Sequence, residues 1–259
     1  MNQTIAVEET GPGLLVVTLS RPEAANSLNT AMGRELLALW MRIADDEQVR
    51  AVVLTGAGRF FCAGADLKER DGMSDSAWSE QHRLFEDMIR AQLACPFPVI
   101  AAVNGAAMGG GAEMALACDF AWASETARIG LPEAGLGIIP GLGGTQLLTR
   151  AVGERRASEL LMSGAPIDAA EALAIGVVNR VCGAKELLPE VLERAALIAS
   201  KAPLSVRALK RVVRGGAVLP LEAAMALELD AYNQLFTTQD RREGVASFNQ
   251  KRTPNFRGL

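Results

Sequence analysis

Short apolar runs alternate with amphipathic stretches from the N-terminus to about residue 184. Each apolar run is too short for a buried helix and is bounded by glycine, proline or polar turn residues, so it predicts a buried β-strand. The amphipathic stretches have the spacing of helices that bury one face. Strands are expected at residues 14–19, 51–54, 99–103 and 177–181. Strands that alternate with helices in this way favour an α/β fold.

Helical patterns fill the gaps between these strands and then continue alone to the C-terminus. In the first part, Asn29 or Thr30 is expected to cap the first helix. Helices are expected there at residues 31–44, 78–93, 112–118, 145–152, 154–163 and 168–173. After about Lys185, helices are expected at residues 186–200, 204–213, 221–236 and 239–251, with no strand among them. We therefore expect a core of residues 1–184 and a helical region of residues 185–259.

The segment 98–144 contains the candidate chemistry. A strand leads into three consecutive glycines, 109–111, and Glu113 lies in the first turn of the helix that follows. Glu133 lies twenty residues later, shortly before the glycine-rich turn 141–144. Glycine lets backbone approach a ligand closely, and a helix start offers unpaired N–H donors. Two carboxylates beside such donors suggest acid–base chemistry on a substrate that develops negative charge, although two glutamates that only cap helices would give the same pattern.

Composition limits the class of protein. The chain has 259 residues, of which 49% are hydrophobic and 22% charged, and its net charge is −4. These values are typical of a globular protein and disfavour nucleic acid or an anionic membrane as a partner. The N-terminal segment lacks the basic start and apolar core of a signal peptide, and no apolar run is long enough to span a membrane. Cytoplasmic localisation is the expectation.

Several kinds of catalytic site are disfavoured by the sequence. The nucleotide-binding patterns GxxxxGK[ST] and GxGxxG are both absent. His82 is the single histidine and lies in a polar helical pattern, so we expect it to be solvated. Because His82 is expected to be solvated, Ser-His-Asp and Cys-His triads are disfavoured, and no metal site is expected. The four cysteines have no CxxC spacing and are expected to be free thiols.

A basic helical face lies in the C-terminal region. Its members have helical spacing and are Arg207, Lys210, Arg211 and Arg214. A solvated face is the favoured interpretation, and a site for phosphate groups is the alternative.

Four stretches in order resemble the enoyl-CoA hydratase/isomerase family, also called the crotonase family. They are SRPEAANSL at residues 20–28, FCAGADLK at 61–68, PVIAAVNGAAMGGGAE at 98–113 and IIPGLGGTQ at 138–146. The ending FNQKRTPNF at residues 248–256 is also similar, so the resemblance covers nearly the whole chain. It implies a spiral of ββα units followed by an all-helical C-terminal region that forms trimers, often paired into hexamers.

The resemblance also implies catalytic roles. The backbone N–H groups of Ala65 and Gly110 would form an oxyanion hole for the thioester oxygen. Glu113 would deprotonate the attacking water, with the Gly141 N–H helping to place that water. Glu133 would protonate the α-carbon of the substrate. Isomerases of this fold use only the carboxylate at the Glu133 position, so the presence of both glutamates favours hydration.

The binding site for the CoA part of the substrate is implied by the same resemblance. Residues of the first loop would line it, and Lys251 of a neighbouring subunit would approach the phosphates together with Lys68. The residues of the loop are Ala63, Ala65, Asp66, Leu67 and Lys68. No metal or organic cofactor is expected, since CoA enters as part of the substrate.

The expected function is therefore hydration of a short or branched α,β-unsaturated acyl-CoA. A double-bond isomerase is the alternative within the family. An RNA-binding, non-catalytic relative is a third possibility, but the helix at residues 31–44 lacks the lysines that such relatives use. Residues 61–70 with Met73 and Ser74 are nearest to the methylglutaconyl-CoA hydratase branch. A distal carboxylate on the substrate would need a cation, for which Arg70 and Arg83 are candidates.

Overall fold

The computed structural model describes residues 3–259. Within this range the chain forms ten β-strands and eleven α-helices. The strands are β1 (Ile5–Gly11), β2 (Leu14–Leu19), β3 (Ala51–Gly56), β4 (Phe60–Cys62), β5 (Val99–Val103), β6 (Ala106–Met108), β7 (Phe120–Ser124), β8 (Arg128–Gly130), β9 (Ile167–Asp168) and β10 (Arg180–Cys182). The helices are α1 (Thr30–Ala44), α2 (Leu67–Arg70), α3 (Asp75–Ala94), α4 (Gly110–Leu116), α5 (Gly144–Val152), α6 (Glu154–Ser163), α7 (Ala169–Ala174), α8 (Leu187–Ala199), α9 (Pro203–Gly216), α10 (Leu221–Leu235) and α11 (Gln239–Asn249). A short 3-10 helix spans Glu133–Leu136.

The strands form two sheets, and the chain passes from one sheet to the other in each repeat. The larger sheet has the order β1-β2-β3-β5-β7-β10, and the smaller one has the order β4-β6-β8-β9. Thus β3, β5 and β7 pair side by side in the first sheet, and each is followed by the strand that pairs in the second. Each repeat is a ββα unit, as the sequence resemblance implied.

The central strands β3 and β5 of the larger sheet are buried on both faces, which explains their continuous apolar sequences. On one face, residues such as Val52 and Leu54 join the main core that extends under α1 and α3. On the other face, alternate residues such as Val53 pack with Leu187 and Val191 of α8. Each of these fully buried aliphatic side chains stabilises the fold by roughly 1.5–3 kcal/mol. The expected cap of α1 is also confirmed, because the Asn29 side chain accepts the Met32 N–H.

The strand expected at residues 177–181 is shifted in the structure. Gly176 has a positive φ and ends α7, and the next two residues still belong to that helix end. The N–H groups of Val177 and Val178 both donate to the carbonyl oxygen of Ala172, at 2.8 and 3.2 Å. Both valines are buried in the core without joining a sheet, which only begins at Arg180. The apolar pattern of these residues therefore reflects their burial in the core and not a β-strand.

The basic face of α9 is neither solvated nor a phosphate site at its inner positions, so the expectation of a solvated face is wrong for them. Asp119 accepts from Lys210 at 2.8 Å and from Arg214 at 2.9 Å. Lys210 also donates to the Phe97 carbonyl at 2.7 Å, and its side chain is 8% exposed. Arg214 donates to the carbonyls of Leu93 and Ala117. These cations dock α9 on the ends of α3 and α4.

Arg211 and Arg207, at outer positions of the same helix, form no ion pair with Asp119. Arg211 is exposed and contacts Gln234 of α10. The Arg207 guanidinium lies 5.3 Å from the centre of the Phe97 ring.

The region after Lys185 has no strand, as expected. Its helices leave many large apolar side chains exposed: Leu209, Val213, Leu221, Met225, Leu229, Tyr232, Phe236 and Phe248. None of the helices between residues 3 and 259 combines the length and apolar character that crossing a membrane requires. All four cysteines are buried free thiols, as expected from their spacing.

Candidate active site

Three neighbouring strands of the smaller sheet deliver the main site residues. The parallel strands β4, β6 and β8 end at the same edge of this sheet. Ala65 follows β4, Gly110 follows β6 and Glu133 follows β8. Loops at the carboxyl ends of adjacent parallel strands lie next to each other, and ligands bind there in open α/β sheets. A cavity of about 730 Å³ at this edge is lined by all three residues and by Glu113.

The loops after β4 and β6 approach each other so closely that only glycine fits. Gly64 and Gly109 both have positive φ values, 94° and 49°. A Cβ atom on Gly64 would lie 2.9 Å from the Met108 carbonyl oxygen, and one on Gly109 would lie 2.8 Å from Oε1 of Glu133. The following residues, Ala65 and Gly110, are therefore brought together at the cavity wall.

The N–H groups of Ala65 and Gly110 are both free of protein acceptors within the described range 3–259. Leu28 holds the first loop on one side, since its N–H donates to Gly64 and its carbonyl accepts from Asp66. This pairing turns the Ala65 N–H away from Leu28. Gly110 is the first residue of α4, where no helical carbonyl is available to its N–H. Two such donors can bind one oxygen that carries negative charge.

Glu113 lies one turn into α4 and is fixed by the loop that precedes α5. Its Oε1 accepts the N–H groups of Leu142 at 2.7 Å and of Gly144 at 2.8 Å. The side chain is buried, with the residue 2% exposed. Desolvation raises the pKa of Glu113 to about 7, opposed by the two N–H bonds and reinforced by the charge of Glu133. The other oxygen, Oε2, forms no hydrogen bond with residues 3–259, so it can hold a proton or a water.

Glu133 has a contrasting environment. It is 8% exposed, and its Oε2 is buried with no hydrogen-bond partner among residues 3–259. Burial raises the pKa of this carboxyl as well. The lack of a donor at Oε2 shifts this carboxyl toward its neutral, protonated form, which can deliver a proton. The two glutamates thus present one hydrogen-bonded and one unpartnered carboxyl to a common cavity.

The comparisons with known proteins agree with this arrangement. The sequence profile described as enoyl-CoA hydratase/isomerase matches residues 9–258. The chain belongs to this family. A crotonyl-CoA hydratase of Syntrophomonas wolfei is 43% identical over 94% of both chains, and a 2,3-dehydroadipyl-CoA hydratase of Escherichia coli is 42% identical over 95% of both. A crystal structure of an enoyl-CoA hydratase from Bacillus anthracis has a TM-score of 0.97 and 41% identity, covering 99% of this chain and 100% of the other. The crotonase fold is confirmed.

Only some of the residues that the family resemblance assigned to CoA binding line the cavity. Ala63, Ala65 and Leu67 line the cavity, whereas Asp66 and Lys68 do not. The Asp66 carboxylate caps α2 and pairs with Arg21 at 2.9 Å, an ion pair that helps to hold its pKa below the usual range against the effect of burial. Lys68 is exposed.

Of two further residues assigned from the family resemblance, Gly141 lines the cavity and Lys251 does not. Lys251 is exposed in the turn after α11 and does not line the cavity of its own chain. Gly141 lines the cavity, but the N–H groups bound to Glu113 belong to Leu142 and Gly144. The sequence reasoning missed both of these donors. The glycine-rich turn 141–144 was the available signal, although it does not reveal which N–H groups point inward.

His82 is only partly exposed and lies in the cavity wall, a position that the expectation of a solvated residue did not include. It is half-buried and lines the cavity together with Trp78 and Phe85 of α3. Its ring lies so close to Gly141 that any side chain at that position would collide with it. Helix α3 therefore supplies a wall of the cavity that the motifs did not indicate.

The coupling between the two glutamates gives a direct test of the site's electrostatics. In the ligand-free protein we expect Glu113 to titrate near pH 7. Glu133→Gln should lower that pKa, because it removes the negative charge that the ionised fraction of Glu133 places beside Glu113. Carbon-13 NMR of protein labelled at the glutamate carboxyl carbons, titrated from pH 4 to 9, measures both values. The Glu113→Gln spectrum assigns the signal. An unchanged or higher pKa of Glu113 in Glu133→Gln would contradict the coupling.

Proposed function

We propose that this protein is an enoyl-CoA hydratase that adds water across the double bond of a short or branched α,β-unsaturated acyl-CoA. One observation carries the proposal: two buried carboxyls in different environments face one cavity beside two unengaged N–H donors. Hydration needs a base for water, an acid for carbon and a site for enolate charge. The names of the relatives from S. wolfei and E. coli support the same reaction type.

The N–H groups of Ala65 and Gly110 bind the thioester oxygen in this mechanism. As the water attacks the β-carbon, the electrons of the double bond shift toward the carbonyl, and negative charge develops on that oxygen. Donors that are already fixed by their loops need no reorganisation, and each is worth roughly 3 kcal/mol to the transition state. A CoA thioester with its carbonyl at this point would place the acyl chain inside the cavity.

The two glutamates divide the proton transfers between them. Glu113, ionised, takes a proton from water while the water oxygen forms a bond to the β-carbon. The Gly141 N–H is assigned to help place the water. Glu133, protonated, donates its proton to the α-carbon as the enolate collapses. The product is a 3-hydroxyacyl-CoA, and a proton moves from Glu113 back to Glu133 through water before the next turnover. No metal or organic cofactor takes part.

The CoA part is assigned to the rim of the cavity along residues 63–68. Leu67 is half exposed there and offers an apolar contact for the adenine ring. Lys68 lies beside it in an exposed position, suited to a phosphate group. Lys251 reaches such a phosphate only from a neighbouring subunit, so its role depends on oligomerisation by residues 185–259.

Two alternatives remain. A double-bond isomerase needs only the carboxyl at Glu133, so it leaves the fixed and buried position of Glu113 without a purpose. Binding of RNA is not supported, because α1 contains no lysine and the net charge of the chain is −4. Within the hydratases, 3-methylglutaconyl-CoA is the substrate that the loop motif favours.

Replacement of either glutamate tests the assignment of the proton transfers. Glu113→Gln and Glu133→Gln should each lower kcat for hydration of crotonyl-CoA by at least about a hundredfold, because each removes one proton-transfer group. Loss of the conjugated absorbance of the enoyl thioester measures the rate, and mass spectrometry identifies the hydrated product.

The pH dependence of the rate and a second substrate distinguish a hydratase from an isomerase. In the wild type, kcat/KM should rise as the pH passes through about 7, because Glu113 must lose its proton to act as a base. If Glu113→Gln still converts a 3-enoyl-CoA at nearly the wild-type rate, the protein is an isomerase. Unchanged circular dichroism of both variants controls for the fold.

The oxyanion hole can be tested with a matched pair at one position. Gly110→Pro removes the N–H donor, and proline is well tolerated at the first position of a helix. Gly110→Ala keeps the N–H, and its Cβ would meet Leu142 at 3.5 Å and Leu28 at 3.9 Å, which are ordinary contacts. We expect at least a hundredfold loss of kcat for the proline variant and less than about tenfold for the alanine variant. Full activity of a folded proline variant would exclude this donor.

The exposed apolar side chains of α9, α10 and α11 support an oligomerisation surface, and from the family resemblance we propose a homotrimer, or two trimers paired into a hexamer. Large exposed apolar patches are rare on monomers and mark interaction surfaces. Sedimentation equilibrium at micromolar concentration should give three or six chains. Leu229→Glu should dissociate the oligomer, because it places a charge among these side chains, whereas Glu228→Gln on the same helix should not. A monomeric wild type would also remove the assigned role of Lys251.

A further inference from the structure

Arg70, the last residue of α2, lines the candidate active-site cavity. Its guanidinium lies 4.2 Å from the centre of the Trp78 ring and 5.7 Å from that of Phe85. Its Nε donates to the Gln81 side chain at 2.8 Å. These three contacts to α3 fix the planar group against an aromatic wall. The cation is thus held in one orientation at a half-buried position.

The charge of Arg70 has no carboxylate to pair with in the described chain. Glu69 is the adjacent carboxylate, but its Oε2 accepts the Thr30 N–H and the Gln81 amide, both at 2.8 Å. The Nη1 and Nη2 groups of Arg70 have no acceptor among residues 3–259. Burial lowers the pKa of Arg70, only partly offset by the charge of Glu69. A desolvated cation with unused donors is stabilised by an anion that enters the cavity.

We infer that Arg70 binds a distal carboxylate on the acyl chain, so that the preferred substrate is an enoyl-CoA with a second, terminal carboxyl group. The inference rests on the proposed function, because the CoA thioester must lie in this cavity. The planar guanidinium binds a carboxylate through two parallel hydrogen bonds, which a lysine does not reproduce. Trp78 and Phe85 then cover the apolar part of the chain.

Arg83, the other candidate cation, is excluded by its position. It lies on α3 but is exposed and does not line the cavity. It therefore provides a control of the same residue type on a neighbouring element.

The experiment compares substrates that differ only in the terminal group. Glutaconyl-CoA and 2-pentenoyl-CoA have acyl chains of the same length, which end in a carboxylate and a methyl group. The wild type should show a kcat/KM at least about tenfold higher for glutaconyl-CoA, and 3-methylglutaconyl-CoA extends the series to a branched chain. Arg70→Met should abolish this preference, chiefly by lowering kcat/KM for glutaconyl-CoA. Arg70→Lys should retain a part of it, and Arg83→Met all of it.

Binding of saturated thioesters separates failure of this inference from failure of the proposed function. Glutaryl-CoA and valeryl-CoA form the same matched pair and do not react, so calorimetry gives their Kd values without turnover. The wild type should bind glutaryl-CoA at least about tenfold more tightly, and Arg70→Met should bind the two equally. If no enoyl-CoA is hydrated but this binding preference is present, the hydratase proposal fails and the role of Arg70 stands. If 2-pentenoyl-CoA is hydrated and neither preference is found, the role of Arg70 is overturned.

Discussion

The arrangement of the candidate site depends on backbone packing directly on backbone between the loops that follow β4 and β6. A Cβ on Gly111 would collide with the Cys62 carbonyl oxygen, so α4 touches the end of β4 with no side chain between them. Close packing of this kind leaves little freedom for the peptide units on either side. The Ala65 and Gly110 N–H groups are therefore fixed before any ligand arrives. A donor placed in advance stabilises developing charge without the cost of reorientation.

Burial raises the pKa of both glutamates, but the hydrogen-bond donors around them differ. Both carboxyls lose solvation, which alone disfavours ionisation. Glu113 regains part of that loss through the N–H groups of Leu142 and Gly144, whereas Glu133 has no such compensation at Oε2. Pairs of titratable groups whose surroundings differ in this way are typical of acid–base sites. The difference arises from one loop, because the turn before α5 serves Glu113 alone.

The sequence predicted those features that depend on local pattern. Alternation of apolar runs indicated the long strands of the larger sheet, and glycine spacing around Glu113 and Glu133 indicated the site. The strands of the smaller sheet have only two or three residues, too few for a periodicity to be recognised. The position of His82 and the ion pairs of Lys210 depend on contacts between distant segments. Such contacts leave no mark in the residues near either position, and a polar helix in the cavity wall has the same local pattern as a solvated one.

Because the strands alternate between two sheets, the core is organised like a short solenoid, in which each repeat contacts its immediate neighbours. The pairs β4/β6 and β6/β8 are successive repeats, and the candidate site draws one group from the end of each of these strands. The chemistry is thus distributed over the boundaries between repeats and belongs to no single one of them. A shift of one repeat relative to the next would separate the site residues from one another, even if the secondary structure of every repeat were retained. Integrity of the site is for this reason a more sensitive measure of native stacking than secondary-structure content.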